Sequence, residues 1–234
     1  MVVGFFTHGI EYTLPHPKIP QRTILLLCNV IKRAWQLLED MPPNGFNIQS
    51  ADEKTITRIL VQIIENRLRQ NGEVAGFSRE IFGKVTRDQQ ISNVDGKHPD
   101  KMPDIFFDLK RESFPILSRQ DGLFVECKPV DPQHTVLSCY CKKGLIRFVN
   151  GDYAWAMQDA LMVGYVTASY SFKKLSAALN GSKSTGFKTA NHSDMVEYGI
   201  YRSYHDRDFQ WPEHRGKACR IAVSHLWLSV RSSK

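Results

Sequence analysis

The sequence lacks a hydrophobic run long enough to cross a membrane. Its two most apolar segments are TILLLCNVIKRAW, interrupted by Lys32 and Arg33, and YAWAMQDALMVGYVTA, which carries Gln158 and Asp159 at its centre. A spanning helix needs about 20 predominantly apolar residues. We therefore expect a soluble protein with no membrane partner.

Cysteine is too sparse and too irregularly spaced for a disulfide framework or a zinc site. The chain has five cysteines, an odd number, and the CYC sequence at 139–141 lacks Cys-x-x-Cys spacing. The sequence also shows no secretory signal, internal repeat, low-complexity tract or zinc-finger recognition module. Reduced thiols and a cytoplasmic location are the expectation.

The composition is that of an ordinary globular domain. The chain has 234 residues, 42% hydrophobic and 24% charged, which suits one domain with a real core. We predict a single domain over residues 1–234, in which residues 1–45 can form an N-terminal extension and residues 46–234 the core. The net charge of +7 favours a polyanionic partner, although only weakly.

Hydrophobic periodicity predicts four helices. The first runs from Thr23 to about Glu39. The second follows a capping box in SADE at 50–53, Ser50 with Glu53, and Glu65 lies at the edge of its apolar stripe. The other two are a long buried helix over 145–170 and a short helix over 171–181.

Two apolar segments predict a β-hairpin, namely PDIFFDL at 103–109 and GLFVECKPV at 122–130. Two later strands are predicted at 196–204 and 220–230. The order of elements indicates a mixed α/β domain, with a central sheet flanked by helices.

The hairpin brings two acids together. Strands alternate faces, so Phe124, Glu126 and Lys128 share one face. If paired residue numbers sum to about 230, Asp104 lies opposite Glu126, at a Cβ distance of ~4.5–5.5 Å. Two carboxylates this close repel unless a cation lies between them. Mg²⁺ takes such oxygen ligands, and a lysine beside them can contact the phosphate or the attacking water.

PD at 103–104 and ECK at 126–128 resemble the motif of the PD-(D/E)xK nuclease superfamily, over roughly residues 50–170. The resemblance implies a restriction-endonuclease-like mixed central sheet flanked by helices. It also implies Mg²⁺, with Mn²⁺ as the alternative, bound by Asp104, Glu126 and the carbonyl of Cys127. Lys128 would assist the water, and Glu65, on the helix before the hairpin, would be a further ligand.

The function implied by the resemblance is hydrolysis of phosphodiester bonds in restriction, phage defence, repair or mobile-element processing. DNA is the expected substrate and RNA stays open, as does endonuclease versus exonuclease action. A homodimer is compatible with cutting both strands. Lys142, Lys143 and Arg147 are candidates to contact phosphates, and Gln158 is a candidate to point into the site.

Other interpretations stay open at this stage. Glu126 and Lys128 can form an exposed pair on an edge strand, with Asp104 as a turn cap. Asp100 and Asp108 are rival acids, and the cationic residues 142–147 can be a solvated turn. At the level of function, the alternatives are a catalytically silent nuclease-fold protein that binds nucleic acid or a partner protein, and a soluble α/β protein with a chance motif match.

Overall fold

The computed structural model describes residues 14–98, 100–111, 118–166, 170–181, 186–193, 199–212 and 215–229. Within these ranges the chain forms one seven-stranded mixed sheet in the order β1-β2-β3-β4-β7-β6-β5. The strands are β1 (Phe82–Thr86), β2 (Ile105–Leu109), β3 (Gly122–Val130), β4 (Asp159–Val166), β5 (Thr189–His192), β6 (Ile200–His205) and β7 (Ile221–Ser229). This confirms the predicted mixed α/β class.

In the part of the chain that the structure describes, four helices and one 3₁₀ turn (Ser118–Gln120) accompany the sheet. The helices are α1 (Gln21–Asp40), α2 (Glu53–Ile63, continuing through a π-helical turn at Ile64–Leu68 and Arg69–Asn71), α3 (the π-helical Val136–Leu145 followed by Ile146–Asn150) and α4 (Phe172–Asn180). Within the described ranges, no helix combines the length and apolarity needed to cross a membrane.

The start of α2 differs from the predicted capping box. The N-cap is Asp52, whose carboxylate accepts a hydrogen bond from the backbone N–H of Thr55 at 2.6 Å. Ser50 instead donates its hydroxyl to the carbonyl of Asn47. Because Asp52 satisfies the free N–H groups of the first turn, the carboxylate of Glu53 is left for a tertiary contact.

The hairpin forms in the predicted register. Ile105 pairs with Val125 and Phe106 with Phe124 in an antiparallel ladder, and Asp104, directly before β2, bonds the N–H of Cys127 next to Glu126. The predicted edge-strand alternative is wrong, because β3 pairs with β4 on its other side and is buried along nearly its whole length. The centre of the predicted turn, residues 112–117, lies outside the described residues.

The predicted long helix over 145–170 is wrong. The α3 helix ends at Asn150, where Gly151 adopts a left-handed conformation with φ 77° that favours glycine. The chain then enters β4, a parallel strand that is buried throughout. A strand covered by helices on both faces is apolar all along, so its sequence cannot be told from a buried helix by periodicity.

One face of the sheet is covered by α3 and α4. Gly144 of α3 lies directly over Glu126 and Lys128 of β3. Phe172 of α4 stacks on Trp227 of β7, with ring centroids 4.5 Å apart. The acidic and basic side chains of β3 therefore point into a packed layer.

The opposite face is covered by α1 and α2. Trp35 of α1 stacks on Tyr165 of β4 at 5.7 Å, and Thr57 of α2 hydrogen-bonds the Tyr165 hydroxyl at 2.9 Å. The buried residues of α1, such as Leu27 and Val30, belong to the same hydrophobic cluster as the sheet. Helix α1 thus contributes to the same core as the sheet.

The last helix and two of the later strands follow the sequence expectations. The short helix predicted over 171–181 is α4, and Gly181 is its C-cap residue. The predicted strands at 196–204 and 220–230 correspond to β6 and β7, apart from residues 196–198 and 230, which lie outside the described ranges. Strand β5 was not predicted.

Candidate active site

The ammonium group of Lys128 lies among three carboxylates. Its Nζ is 2.7 Å from Glu126 Oε1 and 2.8 Å from Glu53 Oε1. Asp104 Oδ2 is 3.5 Å away. The hairpin supplies Asp104, Glu126 and Lys128, as the sequence predicts, and the first turn of α2 supplies Glu53.

The strand backbone fixes the geometry of this cluster. Asp104 Oδ2 accepts a hydrogen bond from the N–H of Cys127 at 2.7 Å. The carbonyl of Cys127, the predicted extra metal ligand, accepts one from Lys128 Nζ at 2.7 Å. Both backbone polar groups of Cys127 are thus part of the site, because Asp104 directly precedes the strand that pairs with β3.

Two further residues hold Glu126 from the side of α3. Arg147 Nη1 lies 3.0 Å from Glu126 Oε1, and the Tyr153 hydroxyl donates a hydrogen bond to Glu126 Oε2. Glu126 itself is fully buried. A buried carboxylate is stable only when charges and hydrogen bonds surround it, and here one cation approaches from β3 and one from α3.

The charges in the cluster do not balance. Three carboxylates face two cations, Lys128 and Arg147, so one negative charge is left over when all are ionised. Burial and the neighbouring Asp104 raise the pKa of Glu126 to about 7. Burial likewise raises the pKa of Glu53 above its usual value, although Lys128 opposes the shift. Burial disfavours the charged form of Lys128, but the carboxylates outweigh it and raise its pKa.

The donor set fits a hard divalent cation. In the described part of the chain, no three His, Cys, Asp or Glu side chains are arranged as a ready metal cage, but Mg²⁺ commonly uses one or two carboxylates and keeps its waters. Glu126 Oε1 lies 2.7 Å from Lys128 Nζ and 3.0 Å from Arg147 Nη1, but neither contact has the direction of a hydrogen bond. This oxygen therefore keeps a lone pair for a metal ion. Asp104, Glu126 and the Cys127 carbonyl would hold the ion, with the surplus negative charge favouring it.

A glycine allows α3 to lie against β3. A Cβ atom on Gly144 would lie 2.7 Å from Met162 Cε, 3.2 Å from Lys128 Cγ and 3.4 Å from Glu126 Cγ. A side chain here would displace the end of Met162 and crowd the stems of Lys128 and Glu126. The π-helical course of α3 from Val136 to Leu145 accompanies the close packing, and such segments are frequent at functional sites.

The structure does not bring Glu65 into the cluster. Its carboxylate accepts hydrogen bonds from Arg69, at 2.8 and 2.5 Å, and from the N–H of Val85 at 2.9 Å. Glu65 therefore ties α2 to β1. Glu53, in the first turn of α2, is the acid that contacts Lys128.

Gln158 also lies outside the cluster. It precedes β4 and donates to the carbonyl of His16 at 2.8 Å, so it joins the segment before α1 to the sheet. Of the rival acids, Asp108 packs its carboxylate against Gly83 of β1, and Asp100 is exposed in the loop before β2.

The three cationic candidates of α3 separate in the structure. Arg147 is in the cluster, and Lys142 and Lys143 are exposed. Lys143 lines the same cavity as Lys128 and Arg147. The chain therefore offers positive charge beside the carboxylates, at the place where a phosphate would lie.

Sequence reasoning missed Glu53 and Tyr153. For Glu53 a signal exists, because SADE offers both Asp52 and Glu53 at the helix start and the cap needs only one of them. For Tyr153 no local signal exists. It approaches Glu126 only because the chain turns at Gly151, between α3 and β4.

No family model, curated protein or solved structure matches this chain. A functional assignment therefore depends on the geometry of the site and on the motif.

Proposed function

We propose that this protein is a metal-dependent nuclease that hydrolyses phosphodiester bonds, with DNA as the first substrate to test. One observation carries the proposal: Asp104, Glu126 and Lys128, singled out by the motif, meet at one buried point within 3.5 Å of the Lys128 ammonium. A chance match in sequence has no reason to produce this convergence.

The architecture supports the same proposal at a finer level. The motif acids lie on an antiparallel hairpin, β2 and β3, and a parallel strand, β4, follows after α3. Helices cover both faces. We take this as a restriction-endonuclease-like mixed sheet to which β5, β6 and β7 are added.

The chemistry assigns each residue a role. Asp104, Glu126 and the Cys127 carbonyl would hold a Mg²⁺ ion, which would supply a water of lowered pKa and charge stabilisation at the phosphate. Lys128 orients the attacking water or neutralises a phosphate oxygen. The water oxygen bonds to phosphorus as the bond to the leaving oxygen breaks; the attacking water loses one proton to solvent, and the leaving oxygen takes one proton from solvent. Arg147 adds positive charge beside Glu126.

The test is cleavage of plasmid, linear duplex and single-stranded DNA with Mg²⁺ or Mn²⁺, followed on gels and repeated with RNA. We expect the wild type to cut and Lys128→Ala and Asp104→Ala to lose cutting by at least about 10²-fold. Two matched controls are available in the same sheet. Asp108→Ala removes a carboxylate from β2, the strand that follows Asp104, and Lys84→Ala removes an exposed lysine from β1.

Equal cutting by wild type, Lys128→Ala and Asp104→Ala would contradict the assignment. Binding of nucleic acid without cutting under any metal condition would favour the second class, a catalytically silent nuclease-fold protein. Melting temperatures of all four variants establish that each is folded.

A further inference from the structure

A cavity of about 460 Å³ opens directly beside the candidate active site. Lys128, Glu53 and Arg147, three members of the charged cluster, form part of its wall. Its volume falls in the range of small-molecule sites, about 300–1,000 Å³. Whatever is covalently attached to a phosphate held at Lys128 therefore lies next to this cavity.

The part of the cavity away from the charges is apolar. Trp35 and Tyr165 line it together with Ile48, Ala51, Ile56 and Pro129. The polar atoms of the two aromatic residues already have partners, since the Trp35 indole N–H donates to the Ser229 carbonyl at 3.2 Å and the Tyr165 hydroxyl bonds Thr57. The two rings stack on each other and are nearly buried, so they add apolar surface to the cavity wall beside Ile48, Ala51 and Pro129.

The side of the cavity nearest α3 is cationic. Arg147 lies there with 38% of its side chain exposed and contacts Glu126. Lys143 is exposed on the same helix and takes part in none of the ion pairs found among the described residues. A ligand that is flat and apolar at one end and carries a phosphate at the other would match both ends of the cavity.

We propose that this cavity takes the nucleoside attached to the scissile phosphate, and that the substrate is therefore an unpaired strand: single-stranded nucleic acid or a frayed or flipped-out end. The inference rests on the proposed nuclease function. A base inside an intact duplex is stacked and paired, so it cannot enter a cavity without leaving the helix. A free nucleotide and a nucleic-acid strand both present a nucleoside with a phosphate. We propose a strand, whose scissile phosphate lies at the charged cluster while the attached nucleoside occupies the cavity.

The experiment measures binding rather than cutting, with Ca²⁺ in place of Mg²⁺. Fluorescence anisotropy compares a labelled thymidine pentanucleotide, the same sequence in a duplex, and five versions that each carry one abasic position. We expect the single strand to bind at least about tenfold more tightly than the duplex. One abasic position should lose about tenfold in affinity, the scale of a base–aromatic contact.

A cavity-filling variant shows whether that base occupies this cavity. Ala51→Phe places a ring in the cavity without altering a charged residue, and Ala190→Phe places the same ring on exposed β5 as the control. In Ala51→Phe, an abasic site at the sensitive position should not lower the affinity further, because the base and the introduced ring compete for the same space. Ile48→Trp gives a second filling variant if Ala51→Phe does not fold, as judged by melting temperature.

Each result decides the proposal. Equal or tighter binding of the duplex, or equal abasic sensitivity in Ala51→Phe and Ala190→Phe, overturns it. Competition by thymidine monophosphate as strong as by the pentanucleotide also overturns it, in favour of a free nucleotide. If the protein binds in a base-dependent way but never cuts, the cavity assignment stands and the nuclease proposal is wrong. If the protein cuts duplex DNA and Ala51→Phe does not affect the cutting, the nuclease proposal stands and the cavity assignment is wrong.

Discussion

Two buried polar clusters lie on the same face of the sheet and differ in kind. In one row across the strands, Glu126 of β3 pairs with Met162 of β4, and Met162 pairs with His225 of β7. Glu126 belongs to the charged cluster around Lys128. His225 belongs to a neutral chain of hydrogen bonds, the histidine relay, formed by Tyr140, His225, Ser203, His205 and the carbonyl of Phe187.

The histidine relay is satisfied from end to end. His205 Nδ1 must carry a proton, because it lies 2.8 Å from the Phe187 carbonyl, which only accepts. His205 Nε2 then accepts from the Ser203 hydroxyl at 2.7 Å, and Ser203 accepts from His225 Nε2 at 2.7 Å. His225 Nδ1 is left to accept from the Tyr140 hydroxyl at 3.1 Å, and the same hydroxyl also lies 3.3 Å from the Met162 carbonyl, a second acceptor for its one proton.

The difference separates a hydrogen-bonded neutral cluster from a candidate functional one. The relay uses each ring nitrogen and carries no charge, so we expect it to stabilise the sheet. The charged cluster keeps a surplus negative charge, a Glu126 oxygen without a directed hydrogen bond, and an open cavity beside it. Burial of unbalanced charge costs stability, and such sites are candidates for function.

The largest expected effect comes from Glu126→Gln. Glutamine keeps the shape of Glu126 but removes one of three negative charges, so the remaining charges balance and folding is retained. We expect DNA cleavage to fall on the order of 10³-fold and the melting temperature to change by a few degrees at most. Exposed Glu80→Gln is the control. Full cleavage activity in Glu126→Gln would contradict the assignment of function to the charged cluster rather than to the histidine relay.

The relay should make stability depend on pH. Burial lowers the pKa of His205 from 6.5 to about 4 and that of His225 well below its usual value. Between pH 6.5 and 4 the unfolded chain therefore binds protons that the folded chain does not, so stability is lost as pH falls through this window.

For His205 the expected loss is on the order of 3 kcal/mol. Urea unfolding of the wild type and His205→Gln at several pH values measures it, because the carboxylates titrate equally in both. Parallel curves for the two proteins would contradict the neutral state of His205.

Ser203→Ala should uncouple the relay without affecting the charged cluster. The substitution leaves His225 Nε2 and His205 Nε2 without their shared partner, at a cost of about 2 kcal/mol in the free energy of unfolding. Cleavage per folded molecule should stay within about twofold. Ser176→Ala on α4 should cost no more than about 0.5 kcal/mol. A loss of cleavage in folded Ser203→Ala would show that the two clusters act together.

The smallest expected effect distinguishes two glutamates of α2. Glu53→Gln should lower cleavage about tenfold, because its carboxylate holds Lys128 in position. Glu65→Gln should leave cleavage within about twofold and cost up to about 1 kcal/mol of stability, since its partner Arg69 is an i,i+4 neighbour. The opposite result would restore Glu65 as the acid from the helix.

Much of the site was predictable because it depends on local rules. The strand period places Glu126 and Lys128 on one face, and the symmetry of the hairpin places Asp104 opposite Glu126. Glu53 and Tyr153 were not predictable, since their contacts span 75 and 27 residues in sequence. No periodicity encodes such separations.

The sequence by itself determined the hairpin, its register, the helices α1, α2 and α4, and the motif acids, because each follows from spacing between near neighbours. Only the tertiary structure decided that residues 159–166 form a parallel strand, that Glu53 rather than Glu65 meets Lys128, and that one cluster is charged and the other neutral. The physical reason is that burial, pairing of strands and balance of charge depend on groups brought together from distant parts of the chain.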